Sequence, residues 1–183
     1  MLYKIINNYA SKELYEKINN IILLSESFPW YYHNYVATKE EICPDHFYFT
    51  HNFYINEETD ITLGYPNSEH FSTIIIPVCS ILLGNDIPLI KAKANLFTKR
   101  DKKIKYGMHI DYDCEKHTTW VYSLNSNNGY TEFEDGTIIP SIENQLLIFD
   151  GNIPHRSVGQ TDTNTRINLN INLKMDSSIL CKN

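Results

Sequence analysis

The apolar positions divide the chain near Gly84. Before it, two stretches repeat at helical spacing: Tyr15, Ile18, Ile21 and Ile22 follow Ser11, and Phe71, Ile74, Ile75, Val78, Ile81 and Leu82 follow Ser68. Residues three and four apart share one face of an α-helix, so both stretches read as amphipathic helices. Ser11 can cap the first, Glu13 and Glu16 sit near the end that favours negative charge, and the helix is expected to run to about Leu24. Gly84 ends the second. Between them, residues 28–32 and 47–50 are aromatic runs that favour strands, with irregular polar sequence on both sides of Cys43 and Pro44.

After Gly84 the period shortens. Residues 89–97, 105–111, 118–124, 131–134, 137–139, 145–149 and 166–173 read as a succession of short strands. Asn127-Asn128-Gly129 and Asp135-Gly136 supply residues that tolerate positive φ and are expected as hairpin turns. Many short strands imply a sandwich or barrel, and two preceding helices imply that one outer face is shielded. The expected class is therefore mainly β with flanking helices. There is no internal repeat or low-complexity tract.

A length of 183 residues fits one domain, expected to span 1–183, and a hydrophobic content of 42% is enough to fill its core. No stretch has the roughly 20 apolar residues of a membrane helix, and residues 1–10 lack the pattern of a signal peptide. A soluble, cytoplasmic protein is the expectation. The net charge of -6 argues against a surface built to grip nucleic acid by its phosphates. Lys99, Arg100, Lys102, Lys103 and Lys105 form a local basic run, read as a solvated loop. Cys43, Cys79, Cys114 and Cys181 are widely spaced and form no C-x-x-C pair, so reduced thiols are expected.

The chemistry concentrates in the strand region. In residues 105–111, Tyr106, Met108 and Ile110 alternate with Gly107, His109 and Asp111, which sets a core face against a face carrying an imidazole and a carboxylate. Residues i and i+2 on a strand lie roughly 6.6 Å apart and can lean onto a single ion. An H-x-D pair alone arises readily by chance. It gains weight from His155, which follows the apolar run of residues 146–149 and a Pro154 turn that can aim it at a barrel mouth. Two histidines and one carboxylate make the facial triad that leaves open positions on non-haem Fe(II). Arg166 begins a strand whose Ile and Leu residues share one face while Arg166 and three Asn residues share the other. If the apolar face packs under the helices, Arg166 points inward, where a carboxylate ligand would offer a bidentate acceptor.

These residues resemble the 2-oxoglutarate and Fe(II)-dependent dioxygenases, in particular the prolyl-hydroxylase-like branch and the small members carried by bacteriophages. The resemblance covers roughly residues 87–174. It rests on the order of His109-x-Asp111, Tyr122-Ser123-Leu124-Asn125, the segment from Gly129 to Gly136, Pro154-His155, and Arg166 eleven residues after His155. It implies a double-stranded β-helix (a jelly roll, cupin-like), with residues 1–86 as helical and strand support and 87–174 as the catalytic core. It also implies His109, Asp111 and His155 as iron ligands, and Arg166 as partner of the distal carboxylate of 2-oxoglutarate. Molecular oxygen would be the other partner, and a small molecule or peptide would be hydroxylated with release of succinate and CO2, a peptidyl proline or an amino acid being candidates. A virally encoded member would act in the host cytoplasm.

One position departs from the pattern: where related prolyl hydroxylases use a tyrosine toward the cosubstrate, this chain has Ser123. Thr119 and Ser123 share a strand face, and their hydroxyls can reach the carboxylate end. His46, His51, His70 and His117 read as structural or surface histidines. Two rival functions stand beside the hydroxylase: a nucleic-acid demethylase of the same chemistry, which would need a basic groove, and a cupin-like protein that binds metal and a small acid without turnover. Residues 33–67 are expected either to form a lid that selects substrate or to extend and cover a sheet edge.

Overall fold

The computed structural model describes residues 3–37, 46–57, 60–112 and 116–181. Cys43, Pro44 and Cys114 lie outside the described residues. In chain order the elements are β1 (Tyr3–Ile6), α1 (Lys12–Ile22), β2 (Tyr31–His33), β3 (Tyr48–Glu57), β4 (Asp60–Pro66), a wide helical turn (Phe71–Ile75) running into α2 (Ile76–Leu83), β5 (Leu89–Thr98), β6 (Thr118–Ser123), β7 (Asn127–Phe133), β8 (Ile138–Ser141), β9 (Gln145–Asp150), β10 (His155–Val158) and β11 (Thr165–Leu173). A short 3-10 turn, Ser177–Cys181, follows.

The strands form two antiparallel sheets. The large one runs β1-β9-β6-β11-β5-β3-β2, with β4 also on β3, and the small one runs β10-β7-β8. Their arrangement is the expected jelly roll. The large sheet has two buried faces. On one, Trp120, Tyr122, Ile148, Leu169 and Ile171 pack against Ile18 and Ile22 of α1 and Val78 and Cys79 of α2. On the other, Val121, Leu147 and Phe149 meet Phe133 and Ile139 of the small sheet. The second cluster is small, and the rest of the space between the sheets is lined by polar side chains.

Ser11 caps α1 as expected, its hydroxyl accepting from the Leu14 N–H at 3.2 Å. The second helix begins irregularly because Pro77 has no N–H to continue the ladder, and the turn before it is widened. Ile74, Ile75 and Val78 face the core, but Ile81 and Leu82 are exposed, and Cys79 takes their place inside. Cys79 is a free thiol whose pKa burial pushes up to about 12, so it is inert.

Two expectations are corrected, and some strands went unread. Residues 105–111 are not a continuous strand: they pair with β10 only at Lys105–Val158 and His109–His155. Four steps on one side oppose three on the other, so the extra residue bulges. Tyr106 is buried, whereas Ile110 is exposed rather than part of the core. The chain also reverses before Asn127, not at Asn127-Asn128-Gly129, where β7 has begun and Gly129 has no positive φ. Asp135-Gly136 is the hairpin turn expected, with Gly136 at φ 85°. Finally, β1 and β10 were not legible; both have only 4 residues, and β1 is a half-exposed edge. No helix among the described residues is long and apolar enough to cross a membrane.

Candidate metal centre

β10 and the bulged segment place two imidazoles side by side. The His109 N–H donates to the His155 carbonyl at 3.0 Å and the His155 N–H to the His109 carbonyl at 2.9 Å, which sets the rings 4.7 Å apart. His109 Nδ1 lies 3.1 Å from the Gly107 carbonyl and His155 Nδ1 3.1 Å from the Ile153 carbonyl. A carbonyl only accepts, so each Nδ1 carries the proton and each Nε2 presents a lone pair. Those two nitrogens lie 3.7 and 3.9 Å from carboxylate oxygens of Asp111. One donor atom from each of the three residues falls within 4.8 Å of the others, a group able to hold a metal ion.

The carboxylate is oriented by a cradle of neutral donors. Asp111 Oδ2 accepts from Asn172 Nδ2 at 2.8 Å, Asn170 Nδ2 at 3.2 Å and Thr119 Oγ1 at 3.2 Å. Burial opposes its ionisation, but the adjacent imidazoles and Lys93 outweigh burial and hold the carboxyl well below its ordinary range. Burial lowers the pKa of His155, keeping it neutral, whereas at His109 the nearby Asp111 overcomes burial and raises it.

Thr119 thus reaches Asp111, a different use from the contact with a cosubstrate carboxylate expected of it. Ser123, opposite Asn168, is buried but does not line the cavity that the triad faces. That cavity measures about 290 Å³. Its floor is the inward face of β11 and β5, where the register sets Asn172 opposite Lys91, Asn170 opposite Lys93, Asn168 opposite Asn95 and Arg166 opposite Phe97. Lys91 and Lys93 escaped sequence reasoning, and Asn170 and Asn172 were placed on the inward face without a role. The available signal was alternation: Lys91, Lys93 and Asn95 interleave with Ile90, Ala92 and Ala94, all fully or nearly fully buried on the helix side.

Arg166 is 2% exposed and lies at the end of this row. Its Nε donates to Ser141 Oγ at 2.8 Å and its guanidinium sits 5.4 Å from the centre of the Phe97 ring, which separates it from the cavity's middle. Nη1 is buried with no hydrogen-bond partner among the described residues, and desolvation lowers the pKa to about 10. Gly129 makes room for it, since a Cβ there would come 2.8 Å from Arg166 Cδ.

Three of the other histidines have structural roles. His51 Nδ1 bonds the Pro29 carbonyl and its Nε2 meets Ser68 Oγ, His70 stacks on Phe28, and His117 packs against Gly151. In the basic run, Lys103 donates to the Asn128 carbonyl and Lys105 pairs with Glu132. The described part of residues 33–67 both extends the large sheet and, through His33, Tyr48 and Thr50, walls the cavity.

No protein-family profile and no curated protein matches the sequence. The fold, by contrast, matches many solved structures. A 2OG-Fe(II) oxygenase family oxidoreductase from Burkholderia pseudomallei superposes with a TM-score of 0.65 at 11% identity, covering 95% of this chain and 86% of that one. A prolyl hydroxylase from Trichoplax adhaerens, solved with a hypoxia inducible factor peptide fragment, gives 0.62 at 15% identity over 98% and 86% of the two chains. The viral collagen prolyl hydroxylase of Paramecium Bursaria Chlorella virus-1 gives 0.56 at 12% identity over 96% and 91%. The chain therefore has the jelly-roll fold that 2OG-Fe(II) oxygenases share.

Proposed function

We propose that the protein is a 2-oxoglutarate- and Fe(II)-dependent dioxygenase that hydroxylates a small molecule or a peptide side chain, releasing succinate and CO2. The observation that carries this reading is the convergence of His109 Nε2, His155 Nε2 and the Asp111 carboxylate, with both Nδ1 atoms already committed to backbone carbonyls. Those donors fit Fe(II), and three protein ligands leave positions for a cosubstrate and oxygen. Arg166 fits the distal carboxylate: it is a desolvated guanidinium with an orphan N–H and no acidic partner among the described residues.

When bound, iron and 2-oxoglutarate supply the oxidising chemistry. The chain's own residues hold and orient. His109 and His155 each offer an Nε2 atom, and Asn170, Asn172 and Thr119 fix the carboxylate so that it cannot rotate away from the imidazoles. Phe97 and Val121 make part of the cavity wall apolar. No side chain has to act as a general base.

The cavity is small beside typical ligand pockets of roughly 300–1,000 Å³, so it suits a compact substrate or one inserted side chain. A peptidyl proline and a free amino acid both meet that limit. The test is succinate formation from 2-oxoglutarate with Fe(II) and oxygen, in the wild type and in His155→Ala. Succinate that depends on iron and on His155 supports the reading. Metal and 2-oxoglutarate binding without any succinate, across a broad substrate panel, would make the protein a binding module instead.

A further inference from the structure

Among the residues lining the cavity, Lys91 and Lys93 are the cations and Asp111 the one carboxylate. In a chain of net charge -6, that concentration of positive charge calls for a physical reason. Lys93 projects from β5 directly opposite Asn170, in the row of residues that cradles Asp111. Burial works against its charge, but Tyr48 and Asp111 beside it hold its pKa above the ordinary value. Without a metal, Asp111 suffices to balance it. With Fe(II) bound, as the proposed function requires, Asp111 is taken up by the ion, and an ammonium near a divalent cation is unfavourable unless another anion joins them.

The cosubstrate is poorly placed to be that anion. Arg166 pairs with Phe97 and Asn170 with Lys93, four positions apart on the same ladder, or roughly 13 Å at ~3.3 Å per residue. The terminal carbons of a five-carbon diacid lie at most about 6 Å apart, being joined by four bonds of ~1.5 Å. A molecule whose distal end reaches Arg166 therefore extends away from Lys93. The chelating end adds only one negative charge near the metal, against Lys93 and the ion.

A second, independent feature lies next to Lys93. Asn170 donates its Nδ2 to Asp111, which fixes the amide's orientation, and the remaining Oδ1 is buried with no hydrogen-bond partner among the described residues. Residues directly opposite on antiparallel strands have Cβ atoms about 4.5–5.5 Å apart. A cationic group and an unused acceptor are thus held side by side at the level of the triad.

We propose that Lys93 binds an anionic group of the primary substrate, and that Asn170 Oδ1 accepts from an N–H or O–H next to it. The substrate is then an acidic small molecule whose carboxylate or phosphate neighbours a hydrogen-bond donor, as in a free amino acid or a nucleoside monophosphate. This inference rests on the oxygenase reading and goes beyond it by specifying the charge of the substrate.

The test uses the full chain loaded with Mn(II) and 2-oxoglutarate, a combination that does not turn over. Calorimetric titrations compare free amino acids with their amides, and nucleosides with their 5′-monophosphates. At least one charged member is expected to bind about tenfold or more tightly than its neutral mate. That preference should shrink to about twofold in Lys93→Met and survive in Lys93→Arg, while Mn(II) and 2-oxoglutarate affinities in Lys93→Met should not fall below those of the wild type. Lys93→Gln provides the same comparison if the Met variant does not fold. Neutral members binding as well as charged ones, a preference that persists in Lys93→Met and Lys93→Gln, or a loss of 2-oxoglutarate affinity in those variants would each overturn the proposal. Failure of the wild type to bind Mn(II) with 2-oxoglutarate would instead overturn the oxygenase reading beneath it.

Discussion

The two faces of β11 are equally hidden from water and differ in almost everything else. Ile167, Leu169, Ile171 and Leu173 face the helices, while Asn168, Asn170 and Asn172 line the cavity and Arg166 lies at the end of their row against Phe97 and Ser141, and none of the eight exceeds 7% exposure. On the first face, burial itself stabilises the fold, because each aliphatic side chain leaves water for a close-packed interior. On the second, burial costs free energy unless each polar atom finds a partner. Asn172 finds two, in Asp111 and Thr119, whereas Arg166 and Asn170 each keep an orphan atom. Those two atoms are the ones to which the proposed function and the further inference assign ligands. Burial alone identifies neither core nor site.

The contrast is broken most severely from the apolar side. Leu169→Ala should cost about 2–5 kcal/mol through lost transfer energy and a cavity, a fall of roughly 5–20 °C in Tm by scanning calorimetry. Metal affinity of the folded variant at temperatures well below its Tm should stay near that of the wild type. A loss of metal binding larger than the loss of stability would mean that the two faces are coupled.

Arg166→Met reverses the balance. Removing a desolvated guanidinium that lacks an acidic partner should leave Tm unchanged or higher, yet 2-oxoglutarate affinity should fall about a hundredfold, the ~3 kcal/mol cost of losing a buried charge pair. Calorimetry with the Mn(II) protein reads both quantities. Unchanged cosubstrate affinity would remove Arg166 from the site. Asn172→Leu comes next: freeing Asp111 Oδ2 from its shortest hydrogen bond should weaken metal binding about 10–100-fold, the usual range for residues that orient a ligand.

The smallest effect concerns His51, which lies opposite Ala94 on the helix-facing side of the sheet. Its Nδ1 donates to the Pro29 carbonyl, so Nε2 must accept from the Ser68 hydroxyl, and the ring is needed neutral. Burial, the largest influence, lowers its pKa. A depressed folded-state pKa means that its contribution is complete above the unfolded value of about 6.5 and is lost as pH falls through the folded value. His51→Gln should therefore flatten the decline of Tm as pH falls below about 6.5 relative to the wild type. A parallel decline in both proteins would show that His51 does not contribute to the acid limb.

How much of this was legible in the sequence follows from the same contrast. Alternation in residues 166–173 revealed both faces of β11, and α1 was legible because its cap and apolar stripe are local features. His109, Asp111 and His155 could be singled out by residue type, and the structure brings them together. What failed depended on distant partners. Residues 105–111 alternate like a strand, yet β10 offers only 4 residues to pair with, so the register slips and Ile110 faces outward. Thr119 had a legible orientation but not a legible partner, since Asp111 reaches it from another segment. Lys93 was hidden among the residues of an ordinary strand, its importance coming from the cavity that β11 and β3 build around it.

The central claim is that three side chains from two segments hold one metal ion at the head of the polar face. Its most direct test is an anaerobic titration of Fe(II) into the wild type and Asp111→Ala, each with 2-oxoglutarate present. The wild type should bind about one equivalent of iron per chain, and Asp111→Ala should show no saturable site in the same concentration range. Stoichiometric iron binding of equal affinity in Asp111→Ala would contradict the account.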